Sequence, residues 1–384
     1  MIETVLTALG LLAAVFVGIN IGGSSTGVAF GPSVGSKLVS KKSAAGLMTV
    51  FALLGGWTLG RQVIDTMGGK IVPQSEFTLV ASLTILFFIG LSLMISNLAG
   101  VPASTSMTAV GAIAGLGIAT NTLNWAVMGR IVSWWLVAPT VAFLIGAVIG
   151  RYLYVHMQKL FKIDSSDGNL FKYTHHLPTG LQENTSIREA VSSILVVIIA
   201  CYMAFSAGAS NVANAVAPLV GSEVIGLNIE VGILLGVGAM SIGGFTIARK
   251  TLETVGDGIT DLPLLASLVV SSVSASIISI LSLMGIPASL AISSTMCITG
   301  LGWGRASRTV KVKDTLKGEK PEMKPRALKE DTGKKIGEES KDDLPDKKLF
   351  DPNIISHVVS MWILTPVISA TASYVVFLIL NTLG

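Results

Sequence analysis

Gly208-Ala209-Ser210-Asn211-Val212-Ala213-Asn214-Ala215-Val216-Ala217-Pro218 is the second writing of a motif that first stands as Gly22-Gly23-Ser24-Ser25-Thr26-Gly27-Val28-Ala29-Phe30-Gly31-Pro32. Three more blocks recur in the same order, two of them about 190 residues apart and the last about 227. Gly55-Gly56-Trp57-Thr58 through Asp65-Thr66 returns as Gly243-Gly244-Phe245-Thr246 through Glu253-Thr254. Ser104-Thr105-Ser106-Met107 returns as Ser293-Ser294-Thr295-Met296, and Ser133-Trp134-Trp135 through Pro139 returns as Ser360-Met361-Trp362 through Pro366. The chain is therefore built of two related halves.

Composition says where those halves sit. Of the 384 residues, 51% are hydrophobic and 13% charged, and the mean hydropathy is +0.71. A soluble domain carries roughly 25% charge, and several stretches here exceed the ~18 apolar residues of a membrane span. This is the composition of an integral α-helical membrane protein. Its 41 glycines suit close helix packing in lipid. The pI near 9.0 does not signal a nucleic-acid partner. About half of the Lys and Arg lie in 305–350, interleaved with acids, as in a solvated loop. Cys201 and Cys297 lie far apart in apolar segments and read as small buried residues, not as a disulfide framework or zinc site. Met1-Ile2-Glu3 lacks the basic start of a cleavable signal.

The expected organisation is transmembrane repeat 1 at 1–156, a cytoplasmic linker at 157–185, the first part of repeat 2 at 186–303, a charged loop at 304–352 and a final helix at 353–384. The loop, dense in Lys, Glu, Asp and Pro, is predicted to be flexible. Segment 2–36 is too long for one straight span, and its glycines predict a broken helix there and again at 208–221. The fold class is thus an all-α integral membrane protein of two inverted-topology repeats with broken helices, about ten to twelve transmembrane segments in all. Loop charges agree with inversion. With 305–350 placed in the cytoplasm, the inner loops hold Lys37, Lys41, Lys42, Arg151, Lys159, Lys162, Arg188, Arg249 and Lys250. The outer loops hold only Arg61, Lys70 and Arg130 near a span, and the loop at 222–230 has Glu223 and Glu230 but no base. This is the positive-inside pattern of a multi-pass protein of the cell membrane with both termini outside.

A doubled run of small polar residues in apolar helices points to a carrier with a site between its halves. Gly23, Ser24 and Ser25 in one half and Ser210 and Asn211 in the other offer hydrogen bonds at matching places. Amides freed at a helix break would add an affinity for anions; packing by small residues is the competing reading. Val101-Pro102-Ala103-Ser104-Thr105-Ser106 and Ile286-Pro287-Ala288-Ser289 each start a helix, since proline suits a first turn. Ser104, Thr105 and Ser106 thus join the site, with Ser293, Ser294 and Thr295 standing four residues later than the match predicts. Hydroxyls bonding back to their own helix are the alternative. Asn20, Asn214, Asp65 and Glu253 are coupling or structural candidates. Asp65 and Glu253 stand one turn from Arg61 and Arg249, which suits a structural pair at the interface. Trp134, Trp135 and Trp362 read as packing or belt aromatics. His156, His175, His176 and His357 form no catalytic or metal-ligand pattern, so no catalytic residue, metal site or enzyme activity is assigned.

The motifs resemble those of the inorganic phosphate transporter (PiT) family, which repeats G-A-N-D-V-A-N-A in both halves, each followed by P-x-S-T-T-H. Gly208 to Ala215 matches the first closely, Gly22-Gly23-Ser24-Ser25 loosely, and Pro102-Ala103-Ser104-Thr105-Ser106-Met107 matches the second. The family aspartate becomes Ser25 and Asn211, its histidine Met107 and Met296, and its usual acid before the Gly-Gly block is absent from Phe51-Ala52-Leu53-Leu54-Gly55. This departure, with Asn20-Ile21-Gly22-Gly23-Ser24 and Gly302-Trp303-Gly304-Arg305, resembles the sulfate permease branch. The resemblance implies a homodimeric anion permease of the lipid bilayer, without a cofactor, coupled to H+ or Na+. Sulfate needs no proton acceptor, and removing carboxylates lowers repulsion against a dianion. The expected function is therefore import of a tetrahedral oxyanion, sulfate first, with phosphate symport as the alternative and a passive anion channel as the alternative of another class.

Overall fold

The computed structural model describes residues 2–98, 104–161, 171–174, 177–181, 187–222, 226–248, 252, 264–309 and 352–383. Most of the predicted charged loop lies outside them. The first half runs α1 (Ile2–Gly35), α2 (Lys41–Thr58), α3 (Gly60–Asp65), α4 (Leu79–Leu98), α5 (Thr105–Ala119), α6 (Trp125–Val148) and α7 (Tyr154–Phe161). Then come β1 (Phe171–Thr174) and β2 (Leu177–Leu181), followed by α8 (Ile187–Gly221), α9 (Ile229–Thr246), α10 (Leu264–Leu283), α11 (Leu290–Ala306) and α12 (Pro352–Leu383). The strands form one antiparallel hairpin in the predicted linker, with Phe171 opposite Leu181. It is a small addition to an otherwise helical membrane protein.

Among the described residues, six helices are long and apolar enough to cross a membrane, or seven if α2 and the following bent segment, at 61° to it, make one span. Two shorter apolar helices, Leu79–Ile95 and Thr105–Ala119, add to that number, against the expected ten to twelve segments. α2 and α3 part at Leu59, and π-helical turns at Thr66–Lys70 and Ile149–Leu153 extend α3 and α6.

The predicted breaks at the doubled motif do not occur. α1 continues through Gly22 to Ser25 and α8 through Gly208 to Asn211. At 34 residues, α1 is about 51 Å long, against ~30 Å of hydrocarbon, so length alone did not require a break. The glycines serve packing instead. A Cβ on Gly22 would strike the backbone of Met240, and one on Gly208 that of Ala52. In the same way Gly55 abuts Phe205 and Gly243 abuts Ile19. The contacts correspond between the repeats. α1 packs on α9 and α2 on α8; α5 packs on α12 and α6 on α11. Exchanging the halves turns each pair into the other, so each repeat completes the core of its partner.

Candidate functional site

Two helices begin where apolar packing is dense. Ser104 caps α5, its Oγ accepting from the Met107 amide at 3.3 Å, and Ser289 caps α11, accepting from the Ile292 amide at 3.3 Å. Such a cap is worth about 1 kcal/mol. The Ser106 hydroxyl donates to the Ala288 carbonyl at 3.1 Å, which puts the two starts in contact. Each start presents amides without intrahelical acceptors and the positive end of a helix dipole. The anion-attracting termini expected at the doubled motif therefore lie here instead.

The unbroken α8 brings its side chains to α5. Asn214 Nδ2 donates to the Thr105 and Ser106 hydroxyls, both at 3.2 Å. Thr105 donates to Asn211 Oδ1 at 3.1 Å, and Asn211 Nδ2 donates to Ser25 Oγ of α1 at 3.3 Å. Ser106, Ser210 and Asn214 are fully buried, and no Asp or Glu is buried among the described residues. Three polar atoms at or beside this convergence find no partner: Ser210 Oγ, Asn214 Oδ1 and the indole N–H of Trp362. An orphan of this kind costs about 1–3 kcal/mol, and such exceptions invite a functional reading.

The structure therefore gathers Ser25, Thr105, Ser106, Asn211 and Asn214, with Ser104 as the cap. Ser24 instead bonds to the carbonyls of Asn20 and Ile21, and Asn20 donates to that of Phe16. Gly23 packs near Ile247. In α11, Ser289 is the counterpart of Ser104, which leaves Ser293, Ser294 and Thr295 one turn inside the helix. Thr295 donates to the Ala291 carbonyl, while Ser294 Oγ is buried without a partner. Ile292, not Met296, matches Met107. The cluster is one-sided: Asn214 corresponds to Val28, and Thr105 and Ser106 correspond to Leu290 and Ala291. The site list drawn from sequence missed Ser289 and Trp362. The shared Pro-Ala-Ser triplet marked Ser289, whereas nothing in the sequence marked the unused indole.

Asp65 does not pair with Arg61. Arg61 reaches across to Glu230 at 2.7 Å and lies over the Trp57 ring, because α3 turns away from α2 toward the start of α9. Glu253 lies outside the described residues. Asp65 and Glu230 line a cavity of about 570 Å³ with Gly68, Gly221 and Asn228. Two carboxylates repel an anion, and Gly221 stands ten residues along α8 from Asn211, roughly 15 Å away. The buried cluster, not this cavity, is the candidate site. Among the described residues no group of three or more His, Cys, Asp or Glu could hold a metal ion.

Comparison with known proteins identifies the family. The phosphate transporter family matches residues 21–373. The sulfate permease CysP of Bacillus subtilis is 30% identical over 296 residues, covering 77% of each chain. A protein of Haemophilus influenzae, provisionally named a phosphate permease, is 25% identical over 366 residues, covering 76% of this chain and 86% of its own. A solved structure titled the sodium-dependent phosphate transporter superposes with a TM-score of 0.70 at 18% identity, covering 99% of this chain and 100% of its own. That likeness concerns the fold.

Proposed function

The chain belongs to the phosphate transporter family, and on that premise we propose that it is a secondary carrier importing a tetrahedral oxyanion, sulfate first, by alternating access. Ser25, Thr105, Ser106, Ser210, Asn211 and Asn214 bind the anion, and the starts of α5 and α11 supply positive potential. In the structure the amides and hydroxyls hold one another. A bound dianion would take over their N–H and O–H groups, with no proton transfer and no covalent step. The inverted repeats, the homodimer and H+ or Na+ coupling belong to the same proposal.

One observation carries it: a buried cluster of neutral hydrogen-bonding groups at two touching helix starts, with no buried carboxylate among the described residues. Charge-assisted hydrogen bonds hold an anion well in a low dielectric, and a nearby carboxylate would repel a dianion. The sulfate-permease name of the Bacillus subtilis relative supports sulfate over phosphate.

The test is uptake of labelled sulfate and labelled phosphate into proteoliposomes, with sodium and pH gradients imposed separately. Sulfate uptake that excess phosphate competes with only weakly is the expected result. Phosphate uptake that excess sulfate does not compete with would overturn it. Unitary currents would replace the carrier by a channel.

A further inference from the structure

Trp135 and Trp362 stand at matching positions of the two repeats, as do Met107 and Ile292. The structure brings all four together: Met107, Ile292 and Trp362 are buried in one cluster, and Trp135 packs against it. The two indoles differ. Trp135 Nε1 donates to the Pro287 carbonyl at 2.9 Å, just ahead of the cap Ser289. The Trp362 indole N–H has no acceptor although the residue is only 9% exposed.

Its place is fixed by helix packing. α12 lies along α5 with Pro366 against Gly111 and Ala370 against Gly115. Ser369 donates to the Thr108 carbonyl at 3.0 Å and Ser373 to the Ala112 carbonyl at 2.7 Å. The same register sets Trp362 level with Met107, in the first turn of α5. A buried indole N–H ordinarily finds a partner, and Trp362 packs against Met107 in the first turn of a helix whose start favours negative charge.

We propose that Trp362 is a specificity-determining residue of the oxyanion site, its N–H donating to an anion oxygen. This rests on the oxyanion-carrier reading above. An indole N–H can donate but not accept. It therefore favours a fully deprotonated tetrahedral anion such as sulfate over one that presents an O–H. No other transported chemistry needs to be invoked for this donor.

The test compares Trp362→Phe, and a chain with benzothienylalanine at 362 that keeps the bicyclic shape without the N–H, with wild type and Trp135→Phe. In proteoliposomes both changes at 362 should raise the sulfate concentration for half-maximal uptake about tenfold, with the saturated rate within twofold. Trp135→Phe should leave that concentration within twofold. Sulfate should also change the intrinsic fluorescence of the wild type and of Trp135→Phe in detergent, but not that of Trp362→Phe. Unchanged affinity in the benzothienylalanine chain would overturn the proposal, as would a sulfate-dependent fluorescence change that survives in Trp362→Phe. Slower turnover at unchanged affinity would assign the indole to movement instead and overturn it equally. A wild-type protein that takes up neither oxyanion would refute the carrier reading itself. Normal uptake with indifferent Trp362 variants would refute only this inference.

Discussion

Asn214 of α8 donates to Thr105 of α5 at 3.2 Å, and the same Nδ2 donates to Ser106 at 3.2 Å. These bonds join α5 to α8. α8 packs on α1, α2 and α9, with Gly208 against the backbone of Ala52, whereas α5 packs most extensively on α12, and α4 contacts α1, α5, α8 and α12. The polar cluster lies at the seam between α5 and α8. Asn214→Ala should therefore reduce sulfate uptake at subsaturating concentration roughly 10- to 100-fold, the worth of hydrogen bonds to a charged ligand. The variant should still elute from size exclusion as wild type. Undiminished uptake would remove Asn214 from the site.

Asn211→Asp places a carboxylate where the PiT motif has one. Near neutral pH it should depress sulfate uptake at least about tenfold through repulsion against a dianion in a buried site. The sign with pH follows: protonation removes the charge, so sulfate uptake by the variant should recover as pH falls. The ratio of phosphate to sulfate uptake should rise relative to wild type. Measuring both fluxes between about pH 5 and 8 checks the prediction, and a variant ratio equal to that of wild type would contradict it.

Much of this was legible in the residues, and the limits have physical causes. The doubled blocks identified the halves because equivalent residues make equivalent contacts, as Gly22 with Met240 and Gly208 with Ala52 show. Ser25, Thr105, Ser106 and Asn211 could be picked out because polar groups in apolar helices need partners. The breaks were misread because glycine serves both a distorted backbone and a close crossing, and sequence alone does not say whether a neighbouring helix is there. Arg61 was assigned to Asp65 by helical spacing, but a bend at Leu59 aims it at Glu230, 169 residues away. Trp362 was legible only as an apolar aromatic, since an unused N–H is a property of packing.

The glycine crossings should dominate stability. Gly22→Ala or Gly243→Ala forces a Cβ into the backbone of the opposing helix, where no side chain can swing aside. Overpacking typically costs about 1–3 kcal/mol, more than the ~1 kcal/mol gained from alanine's helix preference. Gly238→Ala is the control, because no atom lies within 4 Å of its added Cβ. Thermal unfolding in detergent should show a lower midpoint for the first two variants and an unchanged or higher one for Gly238→Ala.

The Arg61–Glu230 pair should matter little by comparison. Its side chains are 34% and 42% exposed, so solvent screens the attraction. Exposed pairs contribute about 0.2–1 kcal/mol. Glu230→Gln should keep sulfate uptake within about twofold and shift the unfolding midpoint slightly, and added salt should shrink that shift further. A loss of uptake would mean that the cavity beside Glu230 lies on the transport path in a way its acidic lining does not suggest.

The unequal halves make the sharpest test of the site. If both helix starts held the anion alike, hydroxyls on α5 and α11 would count equally. Thr105 faces Asn211 and Asn214 across the seam, whereas Thr295 spends its hydroxyl on the Ala291 carbonyl of its own helix. Leu290 occupies the position that corresponds to Thr105. Thr105→Val should therefore reduce subsaturating sulfate uptake about tenfold, while Thr295→Val, which alters a nearly isosteric side chain, should leave it within about twofold. Uptake by the two purified variants in matched proteoliposomes decides it. Equal losses would make the site symmetric, and a loss confined to Thr295→Val would move it to α11.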